Sequence, residues 1–306
     1  RCITCGPGAS SQWLHEVNEL DKSHKLKTIM GTGIGEEIEF NKQNVDEFIE
    51  KCINVKYLTL YGGEPTVSPN YEYLVDKLIE TGRSKDINLS TTSNLTNVSI
   101  KLIDKWKKFQ STNITLSIDG VGKTNEYIRY PFRWNKIDKN LNQILQRLNS
   151  SDNVTLGIST TVSLFNIVDC IDVVEYWYST LDKNNWRQHV PTINFNRVQN
   201  PTYSRLEILS KQFRERTFEH TATVKDKLEA NYSHFITDDT FKNTTRIIES
   251  WASENQQYSK QQIEHLKQLI YLTDKARNRN ISDYLPEVYN EIKSLRYKDM
   301  IDTIAI

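Results

Sequence analysis

Net charge is absent from this chain of 306 residues, in which 39 Lys and Arg are balanced by 39 Asp and Glu. A dedicated nucleic-acid binder carries a basic excess, so the balance argues against that class. No apolar run approaches the ~20 residues that cross a bilayer, and no signal-peptide pattern is visible. Four cysteines are too few for a disulfide scaffold, and 11 glycines with 7 prolines exclude a collagenous or low-complexity chain. The six histidines are scattered, with no closely spaced pair, which leaves structural zinc without a ligand set. What is present is globular: 37% hydrophobic, 25% charged, with 15 Tyr, 10 Phe and 6 Trp. The nine Asn-x-Ser/Thr sequons are what an Asn-rich chain produces by chance, and a cytoplasmic location is expected. The first residue is Arg1, and a segment ahead of it is expected.

Residues 55–61, 86–92, 113–119, 154–162 and 192–198 read as strands, several with apolar residues at every second position, such as Ile114, Leu116 and Ile118. Between them lie helical periodicities: Leu74, Val75, Leu78 and Ile79, closed by Gly82; Leu102, Ile103 and Trp106; Ile137, Leu141, Ile144, Leu145 and Leu148; Ile167, Ile171, Val174 and Tyr178. Strands recur every ~30–40 residues, the size of a β-α-β unit. Repeated units predict a parallel sheet with helices outside, either doubly wound or a partial or complete barrel. Reactive groups are then expected at the C-terminal ends of the strands. Beyond Pro201 the apolar spacing is helical throughout, which predicts residues 1–200 as a core and residues 201–306 as a C-terminal helical extension.

Three patterns carry chemistry. Cys2 and Cys5 form a C-x-x-C followed by Gly6-Pro7-Gly8; two thiolates on such a loop can hold a metal or cluster, or act as a redox dithiol. Gly62-Gly63-Glu64-Pro65 closes the first strand, where two glycines let a ligand approach the backbone and a carboxylate suits an ammonium group. Ser117-Ile118-Asp119-Gly120, with Arg129 beyond, closes the third.

In this order and spacing the sequence resembles the radical S-adenosylmethionine enzymes. Their cluster motif is C-x3-C-x2-C, and Cys2 and Cys5 match its second and third cysteines; the first would fall three residues before Arg1. Thr4 departs from the pattern, where the family often carries an aromatic residue. The resemblance implies a partial (β/α)6 TIM-like barrel, here without its first strand. It implies a 4Fe–4S cluster on Cys2 and Cys5. It also implies S-adenosyl-L-methionine held by Gly62, Gly63, Glu64 and Pro65 at its amino group, and by Ser90, Asn94, Ser117, Asp119, Arg129 and Val162 around its ribose, carboxylate and adenine. One electron from a low-potential donor such as flavodoxin or ferredoxin would cleave the sulfonium, giving a 5′-deoxyadenosyl radical that abstracts hydrogen, with a peptide or protein as the expected substrate. Residues 274–277 and 285–287 are similar to phage-type members that carry a twitch domain.

Other readings of the same residues stay open. A degenerate barrel could bind a partner through its Tyr/Trp-rich C-terminal region, and Cys2 and Cys5 could form a catalytic dithiol. The Ser90–Asn94 run could be an ordinary strand end, and Arg129 a surface arginine. Cys52 and Cys170 read as buried small apolar residues. With no cysteine after Cys170, no auxiliary cluster is expected. Gly31, Gly33 and Gly35 read as a linker, and Glu287 as a helix-start carboxylate.

Overall fold

The computed structural model describes residues 1–5, 13, 15–16, 41–187, 192–236, 245–251 and 258–295. The glycine-rich stretches at 6–8 and 31–35 lie outside these residues. After helix α1 (Lys42–Lys51), five strands follow: β1 (Tyr57–Leu60), β2 (Asn88–Ser93), β3 (Ser111–Ser117), β4 (Val154–Val162) and β5 (Thr192–Arg197). They pair in sequence order, each parallel to the next. An order without reversal has no switch point, so the sheet is singly wound, as in a barrel wall, rather than doubly wound. The fold is thus a mixed α/β, partial TIM-like barrel.

The connections carry helices α2 (Pro69–Glu80), α3 (Ile100–Trp106), α4 (Lys123–Ile128), α5 (Trp134–Leu148) and α6 (Asp172–Lys183). Sequence sets their limits. Ser99 caps α3 by accepting the Leu102 N–H at 3.1 Å, and Gly82 follows α2 at φ 74°, a left-handed conformation that costs glycine little. In α5, Ile137, Leu141, Ile144, Leu145 and Leu148 fall on one buried stripe. That stripe joins Leu89, Ile114, Leu116, Leu156 and Ile158 in one core on the helix side of the sheet.

The opposite face of the sheet is a different surface. Reading across the registers, its rows are Tyr57, Asn88 and Ser111; then Thr59, Ser90, Asn113 and Thr155; then Thr92, Thr115, Gly157 and Thr192; then Ser117, Ser159 and Asn194; then Thr161 and Asn196. Parallel strands are usually apolar on both faces because helices cover both. Here the alternation is apolar toward the helices and uncharged polar on the other side.

The expected C-terminal helices are present as α7 (Lys211–Tyr232), a turn of helix at 245–251, α8 (Lys260–Ala276), α9 (Ile281–Tyr284) and α10 (Pro286–Ser294). Lys123 on α4 ties them to the barrel by donating to the Asp283 carbonyl at 3.0 Å, and within the extension the indole of Trp251 donates to the Leu206 carbonyl at 3.0 Å. Glu287 stands in the first turn of α10 behind Pro286, where a carboxylate favours the helix dipole. Cys170 is buried as expected. Cys52 is not: it caps α1 with its N–H on the Phe48 carbonyl at 2.9 Å and is half-buried, while neighbouring Ile53 is exposed. The helix ends one residue before it, so the apolar stripe stops there. No helix among the described residues is long and apolar enough to cross a membrane.

His220 on α7 lies 2.8 Å from Asp172 on α6, a contact across two packed helices. Its pKa is raised above 6.5, first by the Asp172 hydrogen bond, against partial burial, with Asp169 and Glu287 adding to the rise. The stabilisation is therefore fully present below pH 6.5 and is lost as pH climbs past the raised value. Urea unfolding at a series of pH values should show this loss in the parent protein and a flatter profile in His220→Gln.

Candidate active site

The site is built on the C-terminal ends of β1 to β4. Its centre is Asp119, fully buried two residues past the end of β3. One carboxylate oxygen, Oδ1, accepts the backbone N–H of Thr161 on β4 at 2.8 Å. The other, Oδ2, lies 2.7 Å from Nε of Arg129 just past α4. The backbone of Asp119 is held as firmly: its N–H donates to Asn125 Oδ1 at 3.0 Å, and its carbonyl accepts Asn166 Nδ2 at 2.7 Å. Asn166 also donates to the Thr161 carbonyl at 2.9 Å and accepts the Ser163 N–H at 2.7 Å. Gly120 is required beside it, since a Cβ there would come within 2.6 Å of the Thr124 side chain. The Asp-Gly turn thus exists to bury one carboxylate at the seam of two strands.

The cysteine segment is laid against this seam. Ile3 donates its N–H to the Ile128 carbonyl at 2.7 Å, and Cys5 donates its N–H to the Cys2 carbonyl at 3.0 Å in a tight turn. The turn sets the two thiols close enough that each perturbs the other's titration. Cys2 Sγ also lies 2.9 Å from Thr4 Oγ1 and 3.8 Å from Asp119 Oδ2. The Cys2 thiol is lowered to about 7, chiefly by the hydrogen bond from Cys5, against burial and the Asp119 charge. Cys5 moves the other way, pushed far up by the same hydrogen bond and by burial. As a pair they release the first proton near neutrality and hold the second.

Glu64 follows β1 and is not free. Its Oε1 accepts Ser93 Oγ at 3.0 Å and the Thr66 hydroxyl, and its Oε2 accepts the Asn94 N–H at 2.5 Å. The glutamate therefore braces the Gly62–Gly63 bend against the end of β2. The bend itself is exposed, and a Cβ at either glycine would meet nothing within 4 Å. Pro65 is buried behind it at the start of a 3-10 turn. Asn94 turns the chain by accepting the Thr96 N–H at 3.0 Å. From the ends of β1 and β2 to the end of β3 is on the order of 10 Å at ordinary strand spacing, a length that a nucleoside spans.

Of the residues singled out from sequence, Cys2, Cys5, Asp119 and Arg129 come together in direct contact, and Gly62 to Pro65 with Asn94 form a second group on the same edge. Ser117 and Ser90 lie on the polar face, Ser117 at the end of β3 and Ser90 within β2. Val162 faces away: its side chain is buried in the core and its carbonyl accepts the Val198 N–H at 2.9 Å. Arg129 is an inward residue rather than a surface one, its guanidinium held by Asp119. Sequence reasoning passed over Trp13, Glu16 and Asn125. Trp13 Nε1 donates to the Cys2 carbonyl at 2.7 Å, yet no local pattern marks an indole eleven residues on as a backbone clamp.

Soft thiolates are the donors an iron–sulfur cluster takes, and Cys2 and Cys5 converge on one point, so the pair fits as two of its ligands. Among the described residues no further His, Cys, Asp or Glu joins them into a metal-holding group. Two outcomes are expected in the metal-free protein. Iodoacetamide labelling of Cys2, read by peptide mapping, should rise through a midpoint near pH 7, whereas a midpoint at the ordinary 9.0 would contradict the shared proton. Asp119→Asn leaves the Arg129 charge buried without its partner and should cost about 3–5 kcal/mol in chemical denaturation.

A family model described as Radical SAM superfamily matches residues 1–165, over half of the chain. The fold is similar to that of native anSMEcpe with bound AdoMet, at 14% identity over 61% of this chain and 51% of that one, with a TM-score of 0.40. It is similar also to native anSMEcpe with bound AdoMet and Cp18Cys peptide, at 14% identity over 62% and 54%, with a TM-score of 0.42. The chain spans about half the length of these structures. No curated protein matches it. The family whose model it matches uses a 4Fe–4S cluster and S-adenosylmethionine. With that match running from the cysteine segment through β4, the chain belongs to the radical SAM superfamily.

Proposed function

We propose that the protein is a radical S-adenosyl-L-methionine enzyme, with residues 1–200 as the reactive core and residues 201–306 as its cover. The observation that carries the proposal is the contact of Cys2, with Cys5 folded back onto it, against the Asp119–Arg129 pair at the C-terminal edge of a singly wound parallel sheet. Cys2 and Cys5 would hold the cluster, with a third cysteine expected three residues ahead of Arg1. When bound, a 4Fe–4S cluster chelated by S-adenosylmethionine supplies one electron to the sulfonium, releasing methionine and a 5′-deoxyadenosyl radical that takes hydrogen from the substrate. The electron would come from a low-potential donor such as flavodoxin or ferredoxin, in the cytoplasm.

The remaining work belongs to the chain. The exposed Gly62–Gly63 bend, open above its backbone, offers an approach for the amino group, and Glu64 supplies a fixed negative charge behind it. Ser117 offers a hydroxyl to the ribose. Arg129 keeps its charge in a buried site because Asp119 and the Cys2 thiolate outweigh the cost of burial. It is thus placed to face a carboxylate while Asp119 holds its Nε.

The uncharged polar face of the sheet supports a neutral substrate rich in amides or hydroxyls. Charged side chains are absent from its rows, so a phosphorylated metabolite would find no counter-charge there. Ring stacking on a nucleobase would call for aromatic residues, and the strands bring to this face only Tyr57, at the N-terminal edge of the sheet away from the site. A peptide segment fits this chemistry.

Anaerobic reconstitution of the protein in its native full length with iron and sulfide, then dithionite and S-adenosylmethionine, tests the proposal. Release of 5′-deoxyadenosine is expected, with loss of at least ~100-fold in Cys2→Ala and Cys5→Ala, a drop of more than two powers of ten in rate. Cluster uptake with no nucleoside released would reject the activity. Reversible Cys2–Cys5 oxidation without iron uptake would instead favour the dithiol reading, which the closely placed thiol pair also suits.

A further inference from the structure

The C-terminal helices reach back to the cysteine segment through Arg277. Arg277, just past the end of α8, makes a two-pronged ion pair with Glu16, Nε to Oε1 at 2.7 Å and Nη2 to Oε2 at 3.1 Å. Both side chains are buried, 1% and 6% exposed. The guanidinium is sandwiched between aromatic rings, 4.6 Å from the centre of Trp13 and 4.7 Å from that of Tyr130. A planar, weakly hydrated cation suits such a slot, which an ammonium would fill poorly.

The slot is connected to the thiols through backbone. Trp13, whose ring Arg277 covers, donates its indole N–H to the Cys2 carbonyl at 2.7 Å. Arg277 Nη2 approaches the Arg1 carbonyl at 3.4 Å, and the Ile3 N–H is taken by the Ile128 carbonyl. Three successive residues around Cys2 are therefore each fixed by a different partner. Among the described residues, none of those partners hydrogen-bonds a sulfur.

We propose that Arg277 is a positioning residue: through Glu16 and Trp13 it holds the Cys2 backbone so that both thiols face one cluster, making the C-terminal helices part of the cluster's mount as well as a cover. The proposal rests on Cys2 and Cys5 being cluster ligands, and two readouts separate its failure from the failure of that assignment. The first, made on metal-free protein, is the iodoacetamide labelling rate of Cys2 relative to Cys52 in the same molecule. The second is iron retained through gel filtration after anaerobic reconstitution, with the low-temperature EPR spectrum of the reduced cluster.

Three variants grade the clamp. Trp13→Phe keeps a ring and deletes the N–H; Arg277→Lys keeps the charge and deletes the fork; Glu16→Gln keeps the shape and weakens the pair. Each should raise the Cys2 labelling rate by about 5-fold or more and lower iron retention by a similar factor, with a shifted EPR spectrum. Trp13→Phe should do so with the unfolding midpoint within a few degrees of the parent. Labelling and retention unchanged within two-fold in Trp13→Phe and Arg277→Lys would overturn the proposal. So would losses that simply track the unfolding midpoint across all three, which would make Arg277 a stabilising residue only. If the parent itself takes up no iron, the cluster assignment fails, while the labelling ratio still reports on the clamp.

Discussion

The buried carboxylate of Asp119 is the contact on which the rest of the site depends. A carboxylate with no exposure needs its charge and lone pairs answered inside the protein. The answers come from the backbone of β4, the guanidinium of Arg129 and the amides of Asn125 and Asn166 that grip its own peptide groups. The partners come from β4, the loop after it, and α4 with its C-cap, so satisfying one residue fixes the ends of two strands, a helix terminus and the loop after β4. The cysteine turn is then seated against an edge that is already rigid.

How much of this could be read in advance differs by feature, for physical reasons. Strand β4 spans the expected residues 154–162 because Val154, Leu156, Ile158 and Val162 keep its alternation, with only Thr160 polar on that side. At β2 the expected start moves inward by two residues, since residues 83–86 wind into a 3-10 turn that two apolar positions cannot reveal. The thiol pair and the Asp-Gly turn were legible because their chemistry is compressed into a few adjacent residues. The hold on that turn was not. Glu16 and Arg277 are 261 positions apart, and nothing local to either tells that an acid near the start meets a base near the end.

Val162 and Glu64 show a subtler limit. Sequence placed both on the right edge, but alternation along β4 turns the valine into the core, and neighbouring hydroxyls and an amide claim the glutamate. Position along a strand was readable; direction and prior commitments were set by packing. The same alternation, continued across four registers, produced the uncharged face opposite the helices, and it emerges only when the strands are aligned side by side.

Glu64 has a consequence of its own. Both its oxygens are spoken for by the end of β2, so its negative charge is stationary before any guest arrives. A cation entering the bend would meet a field already aimed, with no rotamers to freeze and no loop to close upon it. The entropy of ordering that corner has been spent in folding, and what is left over at the moment of binding is attraction.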